Sequence, residues 1–310
     1  MTRVVTVTLN PAIDVTYEVP ALAIGTSVRV ATVRSRAGGK GVNVAAVVRQ
    51  LGGDPIVVAP TALTEPDPFR SGLAALGLPH RLIPSFGTVR RTVAVVGADG
   101  LTTILLEPGS HAAPDTTGRI AATVTAELAG AGALVISGSL APGLPDDLPA
   151  QLARTARAQG VPVIADVSGP ALRAVATAGA VLTPNRDEFA ELTGHQPGST
   201  AEIVARAREL IGAGAAAVLV TLGEDGAVAV TNGGAWHART AGVAGGNPTG
   251  AGDAAAAALA LHLARGAAWP AALTDAVASS AACVLRPVAG DIDLEARSRR
   301  LGAVTVKELP

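Results

Sequence analysis

The residues with the clearest chemical capacity are Gly250, Ala251, Gly252 and Asp253, the sequence GAGD at the head of the run AAAAALALHLA. Alanine and leucine are strong helix formers, so a helix is expected from about Ala254 to Ala264. Gly250 and Gly252 clear the approach of Cβ atoms. Bare N–H groups at the positive end of a helix then form a site for phosphate oxygens. Asp253 sets the stretch apart from a plain phosphate cradle. A carboxylate beside an anion hole suits phosphoryl transfer: the amides hold charge on the moving group, and Asp253 takes the proton from the attacking hydroxyl. The plainer reading makes Asp253 an N-cap that accepts one orphan amide, and GAGD alone does not decide between the two.

A second glycine-rich helix entrance lies in RAGGKGVNVAAVVRQLGG, residues 36 to 53, with Gly38, Gly39 and Gly41 around Lys40. An amphipathic helix is expected from about Val42 to Leu51, closed by Gly52-Gly53. The stretch is neither a Walker A loop nor a dinucleotide fingerprint, because the required spacings fail. A tight strand-to-helix turn with a solvated lysine is its plainer reading. Elsewhere chemistry is thin. His80, His111, His195, His237 and His262 show no metal-binding spacing, and no GxSxG marks a hydrolase serine. Cys283, the one cysteine, excludes an intrachain disulfide and a zinc site.

The elements that must position these groups alternate along the chain. Strands are expected at residues 3–9, 56–59, 133–137, 161–166, 180–182 and 217–222, and helices at 68–76, 118–129, 145–159, 171–178, 186–193, 201–212 and about 270–286. The tail supplies a short helix and strand. This order means a mostly parallel sheet with helices on both faces, whose active site lies outside the carboxyl ends of the strands. Ser139, Asp166, Asn185 and Gly223 fall there. Further short strands at 15–19, 28–36, 88–97 and 101–107 form a small second sheet, the last two joined by the hairpin signal Ala98-Asp99-Gly100.

Composition sets limits on function. The 310 residues suit one large α/β domain or two smaller ones. With 49% hydrophobic but only 2% aromatic residues, the core is built from Ala, Val, Leu and Ile. A net charge of −1 gives no global attraction to nucleic acid or membrane. No uncharged apolar run reaches membrane-spanning length, and the opening TRVVTVTLNPAID reads as a strand and turn rather than a signal peptide. A soluble cytoplasmic protein is the expectation.

Several separate stretches agree on one family: NPAID at 10–14, AGGKGVN at 37–43, SGSLAPG at 137–143, TPNRDE at 183–188, TLGEDGA at 221–227 and GAGD at 250–253. In this order and spacing the chain resembles the PfkB, ribokinase-like carbohydrate kinases over nearly its whole length. TLNPAIDVTYEV, Glu107-Pro108-Gly109 and SGSLAPG resemble the branch of 1-phosphofructokinases and tagatose-6-phosphate kinases. The resemblance implies one ribokinase-like α/β domain over 1–310, its parallel sheet covered by a small β-sheet lid from about 12–36 and 88–107. It implies Asp253 as catalytic base, and an anion hole from the amides of Gly250, Ala251 and Gly252. Sugar would be held by Asp14, by Gly38, Gly39, Lys40, Gly41 and Asn43, and by Ser139. Arg90 and Arg29, on lid strands, would take a substrate phosphate. The nucleotide would lie along Asn185, Thr221, Gly223 and Gly226, with Asn185 and Glu188 organising Mg²⁺ through water. The chain departs from the family pattern at Thr92, Thr183, Pro248 and Ala254, which bears on specificity and rate.

The expected activity is ATP-dependent phosphorylation of fructose 1-phosphate, fructose 6-phosphate or tagatose 6-phosphate, with a possible homodimer through the lid. The alternatives are a kinase of an unphosphorylated sugar or nucleoside, and a non-catalytic sugar-phosphate-binding regulator. The presence of Asp14, Asn185, Glu188 and Asp253 weighs against the last.

Overall fold

The computed structural model describes residues 1–99, 101–240 and 246–310. Gly100 of the expected hairpin turn, and Ala244 and Gly245 before GAGD, lie outside the described residues. The strands are β1 (Arg3–Thr8), β2 (Ala12–Val19), β3 (Thr32–Gly38), β4 (Asp54–Ala62), β5 (His80–Phe86), β6 (Arg90–Gly97), β7 (Thr102–Leu106), β8 (Ala133–Ser137), β9 (Val163–Asp166), β10 (Val181–Leu182), β11 (Ala217–Thr221), β12 (Ala227–Thr231), β13 (Gly234–Arg239) and β14 (Thr305–Leu309). The helices are α1 (Lys40–Gln50), α2 (Pro68–Ala75), α3 (Thr116–Glu127), α4 (Leu148–Ala158), α5 (Gly169–Val175), α6 (Arg186–Thr193), α7 (Thr200–Gly212), α8 (Ala251–Leu263), α9 (Trp269–Val284) and α10 (Leu294–Leu301).

A ten-stranded sheet runs β14-β13-β12-β11-β10-β9-β8-β1-β4-β5. From β11 to β5 its pairs are parallel, as crossover helices require. At the other end β12, β13 and β14 add in antiparallel fashion. Successive residues of a strand face opposite sides. In β1 and β8, Val5, Val7, Leu134 and Ile136 join a core layer with α3 and α4. Val4, Ala133 and Val135 join the opposite layer with α1, α8 and α9. Every residue of α8 from Asp253 to Leu261 is buried. Enclosure on all sides explains its alanine-rich sequence without an apolar stripe.

The lid is a separate four-stranded sheet, β3-β2-β6-β7. Its β2–β3 and β6–β7 pairs are antiparallel and its central β2–β6 pair is parallel. β3 begins at Thr32 rather than at the expected Val28. β2 ends at Val19, and Glu18 opposite Thr32 closes the paired register; the Ala31 amide still reaches Glu18 O at 2.8 Å, but residues 28–30 lie beyond the pairing. β5, β12 and β13 were not among the expected strands. Pro84 within β5 belongs to a sheet edge, whereas Asn232-Gly233 between β12 and β13 is an ordinary hairpin signal. Among the described residues no helix is long and apolar enough to cross a membrane.

Candidate active site

Between the lid and the carboxyl ends of the central strands lies a cavity of about 1070 Å³. The heads of α1, α6 and α8 reach it, and so does one face of the lid, through Asp14, Arg34, Arg36, Thr92, Ile104 and Leu106. Alternation along β6 puts Arg90 on the cavity side and leaves Arg91 exposed.

Both glycine-rich entrances begin their helices earlier than the sequence suggests. α8 starts at Ala251, capped by Gly250 with φ 87°, a left-handed conformation that favours glycine. GAGD is therefore the cap and first turn of the helix, and Asp253 is the third helical residue, not the N-cap. Its carboxylate is 4% exposed and accepts from Asn43 Nδ2 at 2.9 Å. The Ala251 amide is committed to Pro248 O at 3.1 Å, and the first intrahelical bond runs from Ala254 N to Gly250 O. The orphan donors of this helix start are the amides of Gly252 and Asp253. Of the expected anion-hole amides, that of Ala251 is thus already bonded within the turn. Burial raises the Asp253 pKa, Asp166 raises it further, and Lys40 and Asn43 oppose the rise.

α1 starts at Lys40, capped by Gly39 with φ 100°. Lys40 Nζ lies 3.2 Å from Asp166 Oδ1, and the other oxygen of Asp166 accepts from Ser137 Oγ at 3.0 Å. Burial works to lower the Lys40 pKa, but Asp166, Asp253 and Glu188 outweigh it and hold the ammonium above its usual range. Gly38 and Gly41 do not line the cavity; they lie beneath it. A Cβ on Gly38 would fall within the Asp14 carboxylate, and one on Gly41 would fall on Thr8 Oγ1. Both positions require glycine for close approach of the backbone.

Asp14 stands at the root of β2. Burial pushes its pKa up to about 6 against the opposing charges of Arg36 and Arg90 and a bond from the Gly39 amide. Arg90 is anchored at the lid root, with Nη1 on Glu107 O at 2.8 Å and Nε on Asn10 O at 3.3 Å. Asn10 Nδ2 reaches Pro108 O at 3.1 Å and Ser139 Oγ at 3.2 Å. This one side chain thus ties three of the recognised sequence stretches together. Arg29 is exposed, lies in no strand and does not line the cavity. The expectation that it lies in a lid strand is corrected: β3 begins three residues later, at Thr32. Arg34 and Arg36 are the β3 arginines on the cavity. Neither was singled out from the sequence, although period-2 alternation from Gly38 would have pointed to both.

On the opposite wall, Asn185 caps α6. Its Oδ1 accepts from the amides of Asp187 and Glu188, and Glu188 Oε2 accepts from the Asn185 amide at 3.0 Å, a reciprocal capping box. Thr221, Gly223 and Gly226 line the same wall. Gly226 has φ 86° and packs against Ala238 O where a Cβ has no room. Among the described residues no group of three or more His, Cys, Asp or Glu could hold a metal ion directly. One carboxylate oxygen of Glu188 is free of the capping box. That set suits Mg²⁺ held through water together with substrate phosphates, rather than an all-protein cage.

Residues 1–297 match the family described as pfkB family carbohydrate kinase. The chain belongs to this family. A 1-phosphofructokinase of Xanthomonas campestris pv. campestris is 34% identical over 267 residues, which cover 84% of each chain. The ATP-dependent 6-phosphofructokinase isozyme 2 of Mycobacterium tuberculosis is 31% identical over 85% of this chain and 78% of its own. The crystal structure of phosphofructokinase-2 from Escherichia coli in complex with potassium superposes with a TM-score of 0.91 at 27% identity, over 97% of this chain and 99% of that one. As a pfkB family member the protein is a carbohydrate kinase with the expected ribokinase-like fold.

Proposed function

We propose that the protein transfers the γ-phosphoryl group of ATP to a hydroxyl of a phosphorylated ketohexose, yielding the bisphosphate. The observation that carries this reading is the buried Asp253 carboxylate in the first turn of α8, beside the free amides of Gly252 and its own residue. Asp14, Lys40, Asn43 and Arg90 line the lid side of the same cavity and Asn185, Glu188 and Thr221 the far wall.

In this mechanism the sugar lies over Asp14 and Asn43, with Arg90 directed at its existing phosphate. A forked, permanently charged guanidinium suits a phosphate better than a neutral hydroxyl. Asp253 takes the proton of the attacking hydroxyl as the bond to phosphorus forms. Its raised proton affinity suits a base that must accept that proton near neutral pH. The first-turn amides of α8 hold the charge that builds on the transferred group, and Lys40 offers a cation beside it. Asn185 and Glu188 would hold Mg²⁺ through water, and that ion would offset the charge of the ATP phosphates. The relatives supply the substrate class: one is named for fructose 1-phosphate chemistry and one for fructose 6-phosphate chemistry.

An ADP-release assay over fructose 1-phosphate, fructose 6-phosphate and tagatose 6-phosphate, with fructose, ribose and adenosine as neutral controls, tests the reading. One of the three phosphosugars should give the highest kcat/KM, and a preference for any neutral compound would overturn it. The exposed Val33 and Leu105 of the lid support a homodimer through that sheet. A monomer in sedimentation velocity at micromolar concentration would sink that part.

A further inference from the structure

Arg36 has no place in the sugar grip or the nucleotide wall, yet its guanidinium is engaged on three sides. Nε donates to Ala37 O at 3.1 Å, Nη2 donates to Asn43 Oδ1 at 3.2 Å, and Nη1 donates to Ala289 O. Ala289 belongs to the loop between α9 and α10, and that loop is pinned to α1. Gln50 Nε2 donates to Gly290 O at 2.9 Å, and Gln50 Oε1 accepts from the Ile292 amide at 3.1 Å. Arg286 and Asp291 close the loop at 2.8 Å. Gly290 adopts φ 75°, and a Cβ there would stand 2.9 Å from Asn43 Oδ1 and 3.0 Å from Arg36 Nη2. The loop is therefore packed directly on the contact between Arg36 and Asn43.

A side-chain amide has a donor end and an acceptor end, and either can be turned toward a neighbour. A guanidinium only donates, so beside Arg36 the amide must present its oxygen. Its NH₂ end then has to face Asp253, as observed at 2.9 Å. With Arg36 gone, the flipped amide would set its oxygen against the Asp253 carboxylate, an arrangement only the protonated acid satisfies. We propose that Arg36 is a positioning residue: by fixing the orientation of the Asn43 amide it keeps Asp253 ready to accept the substrate proton. This rests on Asp253 being the base.

The charged and titratable groups around Asp253 come from five elements: Lys40 on α1, Asp14 on β2, Arg36 on β3, Asp166 at the end of β9 and Cys283 on α9. Asp14 and Asp166 disfavour the carboxylate, while Lys40 and Arg36 favour it. Loss of Arg36 leaves Lys40 alone against two carboxylates, so direct charge and amide orientation act in the same direction.

The test is the single-turnover rate against pH for the wild type, Arg36→Met, Arg36→Lys and Asp253→Asn, with the KM for ATP and melting temperature of each. In Arg36→Met the acid limb should move to higher pH by about one unit, the size expected when a close opposite charge is lost. The rate at pH 7 should fall about tenfold and recover as pH rises. The KM for ATP should stay unchanged, and added guanidinium should restore part of the rate. Arg36→Lys keeps the charge but not the fork, so its acid limb should lie between the two. If Arg36→Met does not fold, Arg36→Lys supplies the same readout. A rate reduced equally at every pH, or an unmoved acid limb, overturns the proposal. If Asp253→Asn is inactive while the limb stays put, only the role of Arg36 falls. If Asp253→Asn turns over normally, the base assignment falls and this inference falls with it.

Discussion

Asn43 donates from Nδ2 to Asp253 Oδ2 at 2.9 Å although 210 positions separate them in the chain. The contact joins the first turns of α1 and α8, each entered through a glycine with positive φ. Two positive helix ends thereby converge on one cavity floor, and the carboxylate between them is the group we propose as the base.

Asp253→Asn should fold and bind ATP but lose turnover by ~10²- to 10⁴-fold, the usual worth of a positioned base. The same variant should melt higher than the wild type at neutral pH. The Asp253 pKa is raised on folding, so its stabilising contribution is complete below the unfolded value and is lost as pH rises through the folded one. Asparagine has no such loss. Melting curves at pH 5 and pH 8 should show the advantage of the variant widening at pH 8, and a constant gap would remove the sign of this shift.

Gly252→Ala and Gly250→Ala should separate function from folding. A Cβ on Gly252 meets nothing within 4 Å, and alanine is the better helix former by up to ~1 kcal/mol. That variant should be as stable as the wild type yet at least about tenfold slower, because its methyl group stands beside the amides that must approach the phosphoryl oxygens. Gly250 has φ 87°, and its Cβ would lie 2.9 Å from Ala289 Cβ, so Gly250→Ala should unfold at lower temperature. Thermal melts read beside kcat decide it, and a fully active Gly252→Ala would remove the anion hole from this turn.

How much of this was legible in the sequence depended on what each residue had to signal. The parallel sheet, the four lid strands and the buried helix after GAGD announced themselves through β-branched runs and alanine content. Arg90 was readable because period 2 is fixed once a strand is placed. Arg29 misled because the stretch 28–30 has strand composition but lies outside the paired register, and pairing is not a local property. Alternation from Gly38 places Arg36 on the cavity face, but nothing in the sequence signals what it bonds. Its importance arises from Asn43 and Ala289, which the fold brings to it from distant segments. The first turns of α1 and α8 were misplaced for a local reason: Gly41 and Gly252 look like loop residues, yet both are helical, and Gly41 is there because Thr8 leaves no room for a side chain.

Arg90→Ala should raise the KM for the sugar phosphate about ten- to hundred-fold, the loss of one charge-assisted contact at ~1.5–3 kcal/mol. The KM for ATP should hardly move, because Thr221 and Asn185 lie on the opposite wall. Steady-state kinetics with each substrate varied in turn reads this directly. Equal increases in both constants would instead point to collapse of the lid root, where Arg90 also holds Glu107 O.

Glu188→Gln should distinguish capping from metal handling. Glutamine still accepts from the Asn185 amide, so the capping box survives and the melting temperature should stay near that of the wild type. The Mg²⁺ concentration for half-maximal rate should rise. Asn185→Ala, which removes the cap itself, should cost ~0.5–2 kcal/mol of stability. An unchanged Mg²⁺ requirement in Glu188→Gln would leave this pair a purely structural device.

In the lid, Ala12 pairs with Gly38 and Arg90, and Asp14 pairs with Arg36 and Thr92. The side chains that reach the floor thus occupy the first three rows of the sheet, at its fulcrum, while the exposed Val33, opposite Tyr17, rides far out on the lever arm. Rotation of a lever carries its tip through a wide arc and its fulcrum through almost none. A lid hinged at this root would move Asp14, Arg36 and Arg90 little, and its outer rows are free to change sequence with little penalty for the cavity below.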